Sequence, residues 1–230
     1  AEELLLDLGA LRHQPGGMKP VADCEDAKRS DHHPQRVHRF APRPCEDGDG
    51  DGAENGRLQE FIDASPKDPE LPRALILLGR TQEASGDATG ALEQYRRVEN
   101  DFPAYQAAAA LGQARVLLLS GNWDEARPLL ERVMATGDAP VASEAAYRLG
   151  DGYRKAGRHQ PAVEAYMTAV YVAPDLPTAR RALLGAGQSF SALKQNDSAV
   201  IVYKKLLASK TLEPELADAA KKNLKALGVN

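Results

Sequence analysis

The sequence predicts an all-α protein: a right-handed superhelical solenoid of helical hairpins, closed by a C-terminal capping helix. Three observations carry that prediction. Alanines 91, 126, 162 and 199 recur at spacings of 35, 36 and 37 residues, the length of one helical hairpin with its turns. Four residues after each alanine stands a large side chain: Tyr95, Leu130, Tyr166 or Tyr203. Five residues before three of them stands a glycine, Gly86, Gly121 or Gly157, with Lys194 in the fourth copy.

The clearest copy is "SEAAYRLGDGYRKAGRHQPAVEAYMTAVYVAP", residues 143–174. With Ser143 as position 1, Leu149 and Gly150 fall at 7 and 8, Tyr153 at 11, Gly157 at 15, Ala162 at 20, Tyr166 at 24, Ala169 at 27 and Pro174 at 32. The copy beginning at Pro72 puts Leu78, Gly79, Gly86, Ala91, Tyr95, Val98 and Pro103 at 7, 8, 15, 20, 24, 27 and 32. A third has Ala114, Leu117, Gly121, Ala126, Leu130 and Val133 at 8, 11, 15, 20, 24 and 27; a fourth has Gly187, Phe190, Lys194, Ala199, Tyr203 and Leu206 there. This is the pattern of the tetratricopeptide repeat, and the chain resembles that family.

Each position has a physical reason. Small residues at 8 and 20 let two antiparallel helices approach closely, and the large ones at 11 and 24 fill the space beside them. Glycine at 15 supplies the left-handed residue that ends the first helix. Lys194 at that place predicts either a penalty of about 1 kcal/mol or a turn shifted by one residue. The tyrosine and leucine stripes are therefore expected to be core.

Taken in order, residues 1–16 hold "EELLLDLGALRHQPGG", whose Leu8, Gly9 and Gly16 fit positions 7, 8 and 15 of a remnant first helix. Residues 17–51 carry prolines at 20, 34, 42 and 44 and no sustained apolar period. Proline inside a helix costs about 3 kcal/mol, so this is an irregular segment, expected to be disordered: either a true insertion or a stretch read out of frame between compensating shifts. Residues 52–71 read as the second helix of a partial repeat, with Gly52 at its turn and Phe61, Ala64 and Pro69 at 24, 27 and 32. Asp68 and Pro69 read as a cap and first-turn proline for the next helix. Residues 72–213 form four hairpins. Residues 214–230 form the capping helix and tail, with Leu216, Ala219, Ala220, Leu224 and Leu227 along one side and lysines on the other.

Composition limits the function. A net charge of -4 argues against a general nucleic-acid binder, because phosphate affinity comes from a surplus of Lys and Arg on one face. The longest apolar runs fall well short of the roughly 20 residues of a membrane span, so no transmembrane segment is expected. The chain starts with Ala and shows no basic start or small-residue cleavage site, so any export signal is expected either to have been removed already or to lie outside this sequence.

The segment "CEDGDGDGAENG" sets Asp47, Asp49, Asp51 and Gly52 at positions 1, 3, 5 and 6 of a calcium loop, but the twelfth position, which needs a bidentate Glu, is Leu58. Cys24, Cys45, His32, His33 and His38 have the right atoms for a transition metal in a spacing that matches no finger or ribbon. No metal and no cofactor are expected. No nucleophile elbow or phosphate loop is present, His159 reads as an exposed turn residue, and the expectation is a nonenzymatic protein.

A helical solenoid offers instead a concave surface lined by its first helices, at repeat positions 2, 5, 9 and 12. The groove residues predicted are Arg73, Ile76, Arg80, Glu83, Leu111, Arg115, Tyr147, Asp151, Arg154, Arg181, Leu184 and Gln188. A groove basic at one end, at Arg80 and Arg115, over an apolar floor of Ile76, Leu111, Tyr147 and Leu184 would suit a protein or peptide with an acidic end.

From about residue 52 to 227 the sequence resembles bacterial tetratricopeptide proteins of the cell envelope, namely the Tol-Pal-associated periplasmic protein and the barrel-assembly lipoprotein. The residues carrying this are "ENDFP" at 99–103, "AAYRLGDGYRKAGRHQPAVEAY" at 145–166 and "ALLGAGQSFSALKQNDSAVIVYKKLL" at 182–207. The resemblance implies a noncatalytic adaptor with a protein partner, periplasmic or envelope-associated, with a cytoplasmic site as the alternative. The Lys and Asn that grip chaperone C-termini in other members are replaced here by Ile76 and Arg80, so that ligand is not implied. The rival function is a repeat segment of a larger enzyme or regulator that positions a partner or substrate. Self-association through the unfinished N-terminal face is a further expectation.

Overall fold

The computed structural model describes residues 50–229, with side chains from residue 54. Among these, ten α-helices follow one another: α1 (Gly50–Ala64), α2 (Leu71–Ser85), α3 (Ala88–Asp101), α4 (Gln106–Leu119), α5 (Trp123–Thr136), α6 (Ala139–Lys155), α7 (His159–Val172), α8 (Pro177–Ala192), α9 (Asn196–Leu207) and α10 (Pro214–Ala226), with a short 3-10 turn at Pro103–Tyr105. Helices α2/α3, α4/α5, α6/α7 and α8/α9 form four stacked hairpins, and α10 covers the last one, the solenoid that the repeat spacing predicts.

The four turns close identically. Gly86, Gly121 and Gly157 take φ of 85°, 78° and 70°, and Lys194 takes the same left-handed conformation at 60°. At each turn an amide reaches back five residues: Asp87 to Gln82, Asn122 to Leu117 and Arg158 to Tyr153 at 2.8 Å, and Gln195 to Phe190 at 2.9 Å. This bond satisfies a carbonyl that the ending helix would leave open. The turn at Lys194 is therefore not shifted, and the chain bears a penalty of about 1 kcal/mol for a side chain in left-handed backbone.

The repeat alanines 91, 126, 162 and 199 are fully buried at 0 % exposure, as are Val98, Val133, Ala169 and Leu206 at position 27. Because α7, α8, α9 and α10 share one apolar cluster, and α1 to α4 share another, each hairpin is stabilised by its neighbours.

Three local expectations are corrected. Gly52 lies inside the first turn of α1 rather than at a turn between helices; glycine keeps its backbone N–H and C=O, and its helix cost is one of conformational entropy. Asp68 accepts the Glu70 amide at 2.9 Å and so closes the turn ahead of α2, whose own N-cap is Glu70 and whose first-turn proline is Pro72. His159 begins α7, half-buried, with an inaccessible Nδ1 that has no hydrogen-bond partner among the described residues. The candidate metal residues Cys24, His32, His33, His38, Cys45, Asp47 and Asp49, and the readings of 1–16 and most of 17–51, lie outside the described residues. Among the described residues no group of three metal-ligating side chains occurs, and no helix is long and apolar enough to cross a membrane.

Candidate partner-binding groove

The groove is built around tyrosines whose rings are core and whose hydroxyls end among side chains of the first helices α2, α4 and α6. Tyr95 lies between two helices that come close only because they carry glycine: a Cβ added to Gly79 would stand 2.8 Å from its ring, and one added to Gly112 would stand 2.5 Å away. Tyr166 is held in the same way between Gly150, at 2.6 Å, and Gly185, at 2.4 Å. In each case one glycine belongs to the tyrosine's own hairpin and the other to the next. Where position 24 is Leu130, the corresponding register positions hold Ala114 and Arg148 instead of glycine.

Each hydroxyl meets an arginine and an acid. Arg115 donates to Tyr95 Oη at 3.0 Å and grips Glu83 with Nε and Nη2 at 3.0 and 2.7 Å, while Tyr95 itself donates to Glu83 at 3.2 Å. Arg154 donates to Tyr166 Oη at 3.1 Å and to Asp151 at 2.7 Å. Burial pushes both phenols up to about 12, with the adjacent guanidinium opposing that rise. Burial also disfavours the charged form of Asp151, yet hydrogen bonds from Lys155 and Arg154 hold its carboxyl below the usual range. These hydroxyls stay protonated donors at neutral pH and are unsuited to nucleophilic work there.

The structure separates the twelve predicted groove residues into two sets. Tyr147, Asp151, Arg154, Arg181, Leu184 and Gln188 surround one open concavity of about 240 Å³, together with Tyr166, Gly185 and Leu216. The N-terminal set is divided among core, paired and exposed positions. Leu111 is core at 5 % exposure, Ile76 is half-buried against the α1–α4 cluster, and Arg73 pairs with Glu70 at 3.2 Å. Arg115 and Glu83, with side chains only 13 % and 14 % exposed, neutralise each other. The basic end expected at Arg80 and Arg115 thus keeps only Arg80 as an exposed guanidinium, because position 9 of one repeat falls opposite position 12 of the repeat before it.

In the α6/α8 concavity the balance differs. Asp151 is already bound by Arg154 and by Lys155 at 2.8 Å. Arg181 is exposed and makes no hydrogen bond or ion pair among the described residues, although it adds a favourable field at Glu213. The half-buried Gln188 amide likewise makes no hydrogen bond among them. Sequence reasoning missed Leu216, which it assigned to the buried stripe of the capping helix; the structure brings it to the rim.

Helix α10 is fixed in that position by Glu213, at its N-cap, which accepts from Nε and Nη2 of Arg180, both at 3.0 Å. The Arg180 side chain is 11 % exposed and also reaches the Asp175 carbonyl at 3.4 Å. That grip, aided by Glu213's own amide, lowers the Glu213 carboxyl to about 2.

Stacked hairpins with glycine-fitted tyrosines and a surface of first helices define a helical-repeat solenoid. Family models described as Tetratricopeptide repeat match residues 73–105, 105–170 and 147–214. This unbroken stretch, more than half of the chain, belongs to the tetratricopeptide repeat family. No curated protein sequence matches the chain. Among solved structures, it is similar to the crystal structure of MamA, with 24 % identity over 74 % of this chain and 92 % of that one and a TM-score of 0.55. It is also similar to TTC0263, a thermophilic tetratricopeptide protein of Thermus thermophilus, with 19 % identity over 76 % and 92 % of the two chains and a TM-score of 0.56. A tetratricopeptide repeat protein of Parabacteroides merdae has 17 % identity over 76 % of this chain and 66 % of its own, with a TM-score of 0.56. These likenesses concern the fold.

Proposed function

We propose that the chain is a noncatalytic scaffold that binds an extended or helical segment of a partner protein on its first-helix surface. One observation carries this reading: six side chains from two separate repeats converge on one concavity that offers apolar surface beside a guanidinium and an amide that make no hydrogen bond or ion pair among the described residues. A few oriented polar groups within apolar walls are what recognition of a peptide needs. The setting we infer is a bacterial cell envelope, supported by the resemblance of residues 99–103, 145–166 and 182–207 to envelope members. An acidic feature in the partner fits the surplus of positive charge beside Asp151.

The test is an affinity capture from the source cells with the full chain, compared between wild type and a Leu184→Asp variant whose helicity is checked by circular dichroism. A protein that co-purifies with wild type and is reduced at least tenfold by Leu184→Asp supports the reading. Equal capture by the folded variant contradicts it.

A further inference from the structure

The scaffold reading leaves open where along the solenoid a partner is gripped and by what chemistry. At the N-terminal end Arg115 is spent on Glu83 and Leu111 is core, whereas the concavity among α6, α8 and α10 sets a guanidinium beside apolar surface. Arg181, Leu184 and Gln188 stand at i, i+3 and i+7 of α8, on one face and over a rise of about 10 Å. The guanidinium of Arg181 is a planar donor fork with no hydrogen bond or ion pair among the described residues, and Glu213, the acid that feels its field, is already gripped by Arg180. Leu184 and, across from it, Leu216 of the capping helix provide apolar surface, and the Gln188 side chain has a donor and an acceptor, the same pair that a peptide unit presents.

We propose that this concavity, with the capping helix as one wall, docks an extended segment of a partner protein carrying an Asp or Glu two residues away from a leucine-sized side chain. The carboxylate pairs with Arg181, the apolar side chain lies between Leu184 and Leu216, and the Gln188 amide binds a main-chain unit. In an extended segment, side chains two residues apart point the same way about 7 Å from each other, a separation that the long Arg181 side chain and Leu184 can serve together. An acidic rather than basic segment is favoured because Asp151, the carboxylate of the site, is already covered by Arg154 and Lys155. Arg181 and Arg154 together would repel a lysine there. Helix α10 is then both the cap of the core and a part of the binding site.

This inference rests on the scaffold reading, and the experiment separates the two. A phage-displayed library of random peptides, about twelve residues long, is selected on the full chain, and binders are measured by fluorescence anisotropy against wild type, Arg181→Glu and Arg80→Glu. The result expected is selected peptides that share an acidic residue two positions from Leu, Ile, Met or Phe. They lose at least tenfold in affinity on Arg181→Glu and less than twofold on Arg80→Glu, and replacing the acid with Lys restores binding to Arg181→Glu. That rescue cannot come from a variant that has merely lost its fold. Selected peptides that lack the acid, or that bind Arg181→Glu as well as wild type, overturn this inference and leave the scaffold reading standing. A wild-type chain that selects no peptide overturns both.

Discussion

Gly112 and Gly185 sit in the middle of helices, where glycine costs about 1 kcal/mol relative to alanine. Their reason is the tyrosine of the preceding repeat. A methyl group on Gly185 would lie 2.4 Å from the Tyr166 ring, which is 1 % exposed and is held from its other side by Gly150. Gly185→Ala is therefore expected to destabilise the chain by about 1–3 kcal/mol, as overpacking does, read as a lower urea midpoint. The same substitution in a Tyr166→Leu background should add less, because where position 24 is Leu130 the register places of the two glycines hold the larger Ala114 and Arg148. Position 8 was legible in the sequence, since it recurs in every copy. The second glycine was not, because it appears only in repeats that follow a tyrosine, and the demand for it comes from the neighbouring hairpin.

At the scale of elements, helix boundaries followed the predicted period closely from residue 71 onward, because glycine, proline and the left-handed turns punctuate the chain there. The division of charges was less legible. Arg115 and Arg181 look alike in sequence, and only the stacking offset reveals that one faces Glu83 while the other has no ion-pair partner among the described residues. The Arg180–Glu213 pair, which joins α8 to the start of α10, was not anticipated at all, since its members are 33 residues apart. It predicts a dependence on pH. Arg180 depresses the Glu213 carboxyl from 4.5 to about 2, so its contribution is complete above about pH 4.5 and is lost as the pH falls toward 2. In thermal unfolding, wild type should exceed Glu213→Gln in midpoint at pH 6, and the gap should close as the pH approaches 2. A gap unchanged over that window would show that the pair does not hold the capping helix.

For the molecule as a whole, the repeat makes structure and function legible to different degrees. A period set by packing is written once per hairpin, so four copies agree on the core. The surface has no such redundancy: the α6/α8 concavity depends on Leu216 from an element outside the repeat and on which of several arginines escaped pairing. Its six predicted residues were named from register alone, while their convergence at one place required the hairpins to be stacked. The central claim is that the partner is held on this first-helix surface and not on the opposite one. Photo-crosslinking tests it most directly, with p-benzoylphenylalanine introduced in living source cells at Gln188, beside the concavity, or at Glu164, exposed on the second helix α7. A discrete adduct with another protein from position 188 and none from 164 is the result predicted. Adducts of equal yield from both positions, or from 164 alone, would contradict the account.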